Sequence, residues 1–225
     1  MTPPPLPQLS LLETRVLGVL VEKQLATPDI YPLTLNAIVA GCNQKTSRDP
    51  VINAAEAEVQ MALDSLRRQT LVIESSGGRV MRYAHNINKV LALPSATVAI
   101  VAVLMLRGPQ TPGELRANCD RLHRFADISA LEAYLDEMAT RAAGALVVKL
   151  PKQPGSREHR YAHLLSGAPA ADAATFQPET DDGITTGELA ALKANVAQLR
   201  EEMHDLRRLV ERLYDQLGVA KTPGT

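Results

Sequence analysis

The sequence predicts a mainly α fold with small β wings (α+β): two tandem winged helix-turn-helix domains followed by a C-terminal coiled-coil helix. Three observations predict it. The segment Arg79-Val80-Met81-Arg82-Tyr83-Ala84-His85 recurs as Arg157-Glu158-His159-Arg160-Tyr161-Ala162-His163, with five of seven positions identical at a separation of 78 residues. The elements expected before each copy run in the same order, three helices and then a hairpin, which is the order of a winged helix. Near the C-terminus, apolar residues keep a strict heptad spacing over four heptads.

In chain order, residues 1–8 are expected to be disordered and residues 9–90 to form the first domain. Its first helix is capped by Ser10 with Glu13 three positions on, and Leu12, Val16, Val19 and Leu20 form the apolar face. A second, short helix starts at Thr34 and ends near Cys42. The third buries Val59, Leu63 and Leu66. Leu71-Val72-Ile73 then pairs with the segment around Tyr83 through the glycine-rich turn Ser76-Gly77-Gly78, giving a two-stranded wing.

After a short connection from Asn86 to Leu93, the second domain occupies residues 91–166. Pro94-Ser95 opens its first helix, which ends near Leu106. Thr111-Pro112-Gly113-Glu114 is a capping box with proline at the first helical position, and that helix ends near Cys119. Asp127 caps the helix of Leu131, Leu135 and Met138. Leu146-Val147-Val148 and Tyr161 form the second wing across the longer tip Pro151 to Ser156. Residues 167–187, rich in Ala, Pro, Thr, Asp and Gly, read as a flexible linker.

The coiled-coil helix is expected at residues 188–218, with residues 219–225 disordered. Leu189, Val196, Met203, Val210 and Leu217 take one heptad position, and Leu192, Leu199, Leu206 and Leu213 the other. Leucine at every d position with valine at two a positions favours two parallel strands. Glu188 would meet Lys193 of a parallel partner, and Glu202 would meet Arg207, so the expected partner is a second copy of the chain in a parallel homodimer.

Composition narrows the function. Hydrophobic residues make up 45% and aromatics 3%, so the core is aliphatic. The net charge is −1, but residues 9–90 carry nine basic and eight acidic side chains, residues 91–167 nine and seven, and residues 168–225 six and ten. Both domains are therefore slightly basic and the tail acidic. Cys42 and Cys119 have no paired spacing and read as buried free thiols of a reducing compartment. The stretch Met1 to Pro5 has no basic n-region and no apolar h-region, and the apolar run Ala96 to Leu106 is too short for a bilayer and suits a buried helix. A cytoplasmic protein with no membrane span is expected.

No catalytic constellation, phosphate loop or zinc motif stands out, so no enzyme, cofactor, metal or small-molecule substrate is expected. His159 and His163, with His85 equivalent to the latter, read as surface or interface histidines.

The segments Leu20-Val21-Glu22-Lys23-Gln24, Tyr31-Pro32-Leu33-Thr34, Cys42 to Val51 (Cys-Asn-Gln-Lys-Thr-Ser-Arg-Asp-Pro-Val) and Arg107 to Arg116 resemble the YceH family of bacterial proteins of unknown function. The resemblance covers roughly residues 9–165 and leaves the tail outside. It implies tandem winged-helix domains in a cytoplasmic protein and adds no activity.

Two binding readings remain. In the first, the protein binds DNA through wing and turn cations: Lys45, Arg48, Arg79 and Arg82 in one domain, and Arg121, Arg124, Lys149, Lys152, Arg157 and Arg160 in the other. Against it stand the third helices, which carry Glu56, Glu58 and Asp64, and Asp127, Glu132, Asp136 and Glu137, a poor match to a groove walled by phosphates. In the second reading the chain is a protein-interaction adaptor.

Overall fold

The computed structural model describes residues 6–76, 80–152, 155–156 and 158–169. Among them the chain is mainly α with small antiparallel sheets, as expected. The coiled-coil seam from Leu189 to Leu217 lies outside the described residues.

Helix α1 (Leu11–Ala26) starts where Ser10 and Glu13 satisfy each other's backbone N–H groups, at 3.2 and 2.6 Å. A 3-10 turn (Pro28–Ile30) leads into strand β1 (Leu33–Thr34), and Thr34 then caps α2 (Leu35–Cys42). Helix α3 (Glu56–Arg68) begins at Ala55, which has no side-chain acceptor; only the Glu58 carboxylate, accepting from the Ala55 N–H at 2.7 Å, satisfies that end. Strands β2 (Val72–Ser75) and β3 (Arg82–His85) close the first copy, and a short helix, α4 (Ile87–Val90), occupies the connection. The second copy comprises α5 (Ser95–Arg107), α6 (Pro112–Cys119), α7 (Ile128–Thr140), β4 (Val147–Lys149) and β5 (Tyr161–His163).

The copies share their registers. In the first, β1 joins the hairpin to give the order β1-β3-β2, with Leu33 opposite Tyr83. In the second, Gln110 holds the same place opposite Tyr161 and exchanges both backbone bonds with it, at 3.1 and 2.8 Å. The two-stranded wing expected in the first copy is therefore three-stranded. Two residues ahead of a helix cap are too few to show alternation, and Leu33 is buried as a strand residue. Thr34 and Thr111 cap equivalent helices, Cys42 and Cys119 end them as buried free thiols, and Asp127 caps α7 through the Ala130 N–H at 2.7 Å.

Both copies fall in one compact unit. Its centre is α5, whose residues Ala96 to Leu106 are all buried, packed on α1 and on the second copy's own α6 and β5. From Ala96 to Leu106 this helix therefore presents no exposed face among the described residues. Gly18 permits the close approach of α1, since a Cβ there would lie 2.9 Å from Leu106 Cγ. Leu9 N–H donates to Leu165 O at 2.7 Å, and the Arg141 guanidinium donates to Leu91 O, so the ends of the copies are also tied.

Candidate nucleic-acid interface

The segment from Asn43 to Ala55 has no regular structure, yet it is fixed by specific bonds. Asn43 clamps Ala54 through both amide atoms, Nδ2 donating to its carbonyl at 2.9 Å and Oδ1 accepting from its N–H at 2.8 Å. Arg15, fully buried on α1, donates to Cys42 O at 3.2 Å and Pro50 O at 2.7 Å. Burial and the neighbouring Arg48 make its proton easier to lose than an ordinary arginine's. The loop also reaches the second copy: Asp49 N–H donates to Leu106 O at 2.8 Å, and Arg107 Nη2 donates to Ser47 Oγ at 2.6 Å.

Arg48 was expected among the phosphate contacts, and the structure places it elsewhere. Its side chain is 0% exposed, and it forks onto both oxygens of Glu22 at 3.1 and 2.6 Å while Nε donates to Gly41 O at 3.0 Å. With its donors committed inside the fold, it positions the loop and offers nothing to a ligand.

Gln44, Lys45, Thr46 and Ser47 line a cleft of about 350 Å³. The ends of α1 (Lys23, Thr27) and α5 (Leu106, Arg107) and the α6 region (Asn118, Arg121) complete it. Two of the expected turn cations, Lys45 from one copy and Arg121 from the other, are thus brought to one site. The sequence reading missed Lys23 and Arg107; each stands in the last turn of its helix, where a cation is ordinary and carries no signal of a site. Beside the cleft, a shallower recess joins Ser47 and Arg107 to Arg160.

The remaining candidates are dispersed. Arg82 is exposed and donates to Pro32 O at 2.8 Å. Arg160 lies 3.8 Å from Glu114, and Arg124, 89% exposed, lies 3.9 Å from Asp120. Lys152 is exposed at the second hairpin tip, and Lys149 sits 5.8 Å from the Tyr161 ring centre. Arg79 and Arg157 lie outside the described residues. Glu56 and Glu58 on α3, Asp127 at the α7 cap and Glu132, Asp136 and Glu137 on α7 are exposed, Asp64 on α3 is half-buried, and none of them lines the cleft.

The histidines, expected at a surface or an interface, are buried or half-buried within the fold. His85 is buried, with Nε2 facing Gln24 Oε1 and Nδ1 without a partner among the described residues. His163, at the same place in the second copy, is half-buried, and its Nδ1 is likewise buried and unpaired. Burial lowers both to about 4, so both rings are neutral near pH 7. His159 is half-buried, with Nδ1 2.9 Å from Leu150 O. Burial pushes both cysteine thiols up to about 12, so both are protonated near pH 7. Among the described residues no helix is long and apolar enough to cross a membrane, and no three histidine, cysteine or carboxylate side chains form a metal-sized group.

A family model described as "Protein of unknown function, DUF480" matches residues 9–156. The chain is 55% identical over 204 residues to a UPF0502 protein of Dechloromonas aromatica (strain RCB), covering 91% of this chain and 95% of that one. It is 52% identical over 216 residues to UPF0502 proteins of Burkholderia pseudomallei (strain K96243) and Burkholderia thailandensis, covering 96% of this chain and 92% of each of those. A match of 216 residues in a chain of 225 takes in the tail, which the sequence reading had left outside the resemblance.

Proposed function

The chain belongs to the DUF480 family of bacterial proteins, and on that premise we propose that it is a non-enzymatic binding protein: a dimer, joined through its C-terminal heptads, whose paired copies are winged-helix modules that hold the phosphate backbone of DNA. One observation carries this reading: the turn cations Lys45 and Arg121, one from each copy, converge on a single face together with Lys23 and Arg107. A chain of net charge −1 has no general affinity for polyanions, so a local concentration of cations is what phosphate binding needs. The acidic exposed faces of α3 and α7 direct the contact to the backbone and away from base edges, so the binding is expected to be weakly sequence-dependent.

Fluorescence anisotropy with a labelled duplex at low and moderate salt tests the reading. The double variant Lys45→Ala, Arg121→Ala should weaken binding across unrelated sequences and reduce the slope of log affinity against log salt by about 2. Unchanged affinity and slope would remove the face from the function.

A second reading, the protein-interaction adaptor, is favoured by the exposed apolar side chains of the first copy, Met61 on α3 at 65% exposure with Ile73, Val80 and Met81 at its hairpin. It predicts no duplex binding by the full chain.

A further inference from the structure

We propose that the cleft between the two copies is a site for a small polyphosphate-type anion, a ligand class distinct from the DNA backbone although it rests on the same cations. The site is concave, with about 350 Å³ of room, and its walls come from both copies. A duplex is convex and would press on the rim; a compact anion enters.

Among the described residues, four cations line the cleft against one carboxylate, Glu22. Arg48 already engages both oxygens of that carboxylate, so it offers little to offset the cations. Lys23 lies 3.7 Å from it, a loose contact on the cleft wall. Helices α1 and α5 both end at the cleft, and their terminal carbonyls disfavour an anion; Lys23 and Arg107, in the last turns, counter that. Stability of the helix ends therefore accounts for those two cations. It does not account for Lys45 and Arg121, which face the same space with no ion pair among the described residues.

The loop chemistry separates structure from ligand. Asn43, Arg48 and Asp49 make bonds that hold the segment without lining the cleft, Ser47 does both, and Gln44, Lys45 and Thr46, which lie between them, line the cleft. Arg107 gives one N–H to Ser47, which orients its guanidinium and leaves the rest of the fork available for a second, bidentate contact. Among the described residues no aromatic side chain lines the cleft, so the recognition these residues offer is to phosphate groups and not by stacking on a base or sugar.

Inorganic pyrophosphate is the probe. Calorimetric titration and thermal unfolding of the full chain are run with pyrophosphate and with sodium chloride at matched ionic strength, beside the duplex titration. Saturable binding is expected, with an unfolding midpoint raised by a few degrees when pyrophosphate reaches roughly ten times its Kd. The double variant Lys45→Ala, Arg121→Ala alters two exposed side chains and should keep the native circular dichroism spectrum while losing at least about tenfold in pyrophosphate affinity. Lys89→Ala, an exposed cation on α4 outside the cleft, should leave pyrophosphate binding unchanged. A shift no larger than that of matched salt, or equal binding by the double variant, overturns the proposal. Duplex binding without pyrophosphate binding leaves the DNA reading standing and this one refuted, and the converse refutes the DNA reading alone.

Discussion

The two copies share an element order and differ in the connection between their second and third helices. In the second copy it spans residues 120–127 and is closed locally, with Asp127 capping α7 and Arg116 donating to Ala126 O at 3.2 Å. In the first it spans residues 43–55, held by two buried arginines and extended onto α5 and Arg107. The longer connection is the one that bridges the copies and forms one wall of the cleft. The difference in length thus sets how much of the cleft each connection lines: Gln44 to Ser47 from the longer one, Arg121 and Leu122 from the shorter.

The largest expected effect tests whether the copies are equivalent at their hairpin histidines. Both rings are neutral in the fold with pKa about 4, whereas a histidine in the unfolded chain titrates near 6.5. The unfolded chain therefore takes up protons first as pH falls. Their contribution is complete above about pH 6.5, is lost between about 6.5 and 4, and levels off below, at up to about 3 kcal/mol per histidine. Urea unfolding across that range should show the loss, and His85→Phe and His163→Phe should each flatten part of it. A flat profile for the parent chain would mean that neither ring is buried neutral.

A somewhat smaller effect sharpens the contrast between the connections. Glu22→Ala strips the carboxylate from Arg48, whose side chain is 0% exposed, and should cost about 3 kcal/mol. Partial solvent contact at Glu22 reduces that figure. Asp120→Ala removes the exposed partner of Arg124 in the second copy and should leave the urea midpoint unchanged. Equal losses from the two variants would break the distinction between a pinned and a local loop.

The smallest effect compares the caps of α2 and α6. Thr111 and Glu114 exchange bonds at 3.3 and 2.8 Å, whereas Thr34 accepts one bond at 3.4 Å. Thr111→Ala should cost about 1 kcal/mol and Thr34→Ala about half as much, read from thermal unfolding. The reverse order would show that β1, which Thr34 shares, matters more than the cap.

Much of the fold was legible because it rests on local chemistry. Caps at Ser10, Thr34, Thr111 and Asp127, and apolar spacing at Val59, Leu63 and Leu66, are each written within a few residues. What escaped depends on distant partners. Arg48 was expected at DNA phosphates and Arg15 carried no signal, because nothing nearby in the sequence announces that Pro50 O, Gly41 O and Glu22 will receive them. Strand β1 exists only because β3 lies beside it. Of the candidate site, Lys45 and Arg121 were visible as turn cations, but their convergence depends on α1 packing against α5, which neither copy encodes alone.

The seating of α1 against α5 across Gly18 also bears on how the chain is made. Synthesis proceeds from the N-terminus, and domains ordinarily fold as they emerge. Here the first copy is complete in sequence by Val90, yet α1 lacks its neighbour until Arg107 has left the ribosome. In that interval an aliphatic strip faces water, and the nascent chain is a candidate for chaperone capture. A message interrupted between the copies would release a fragment with that strip uncovered, so the first copy is expected to be stable only when α5 follows it.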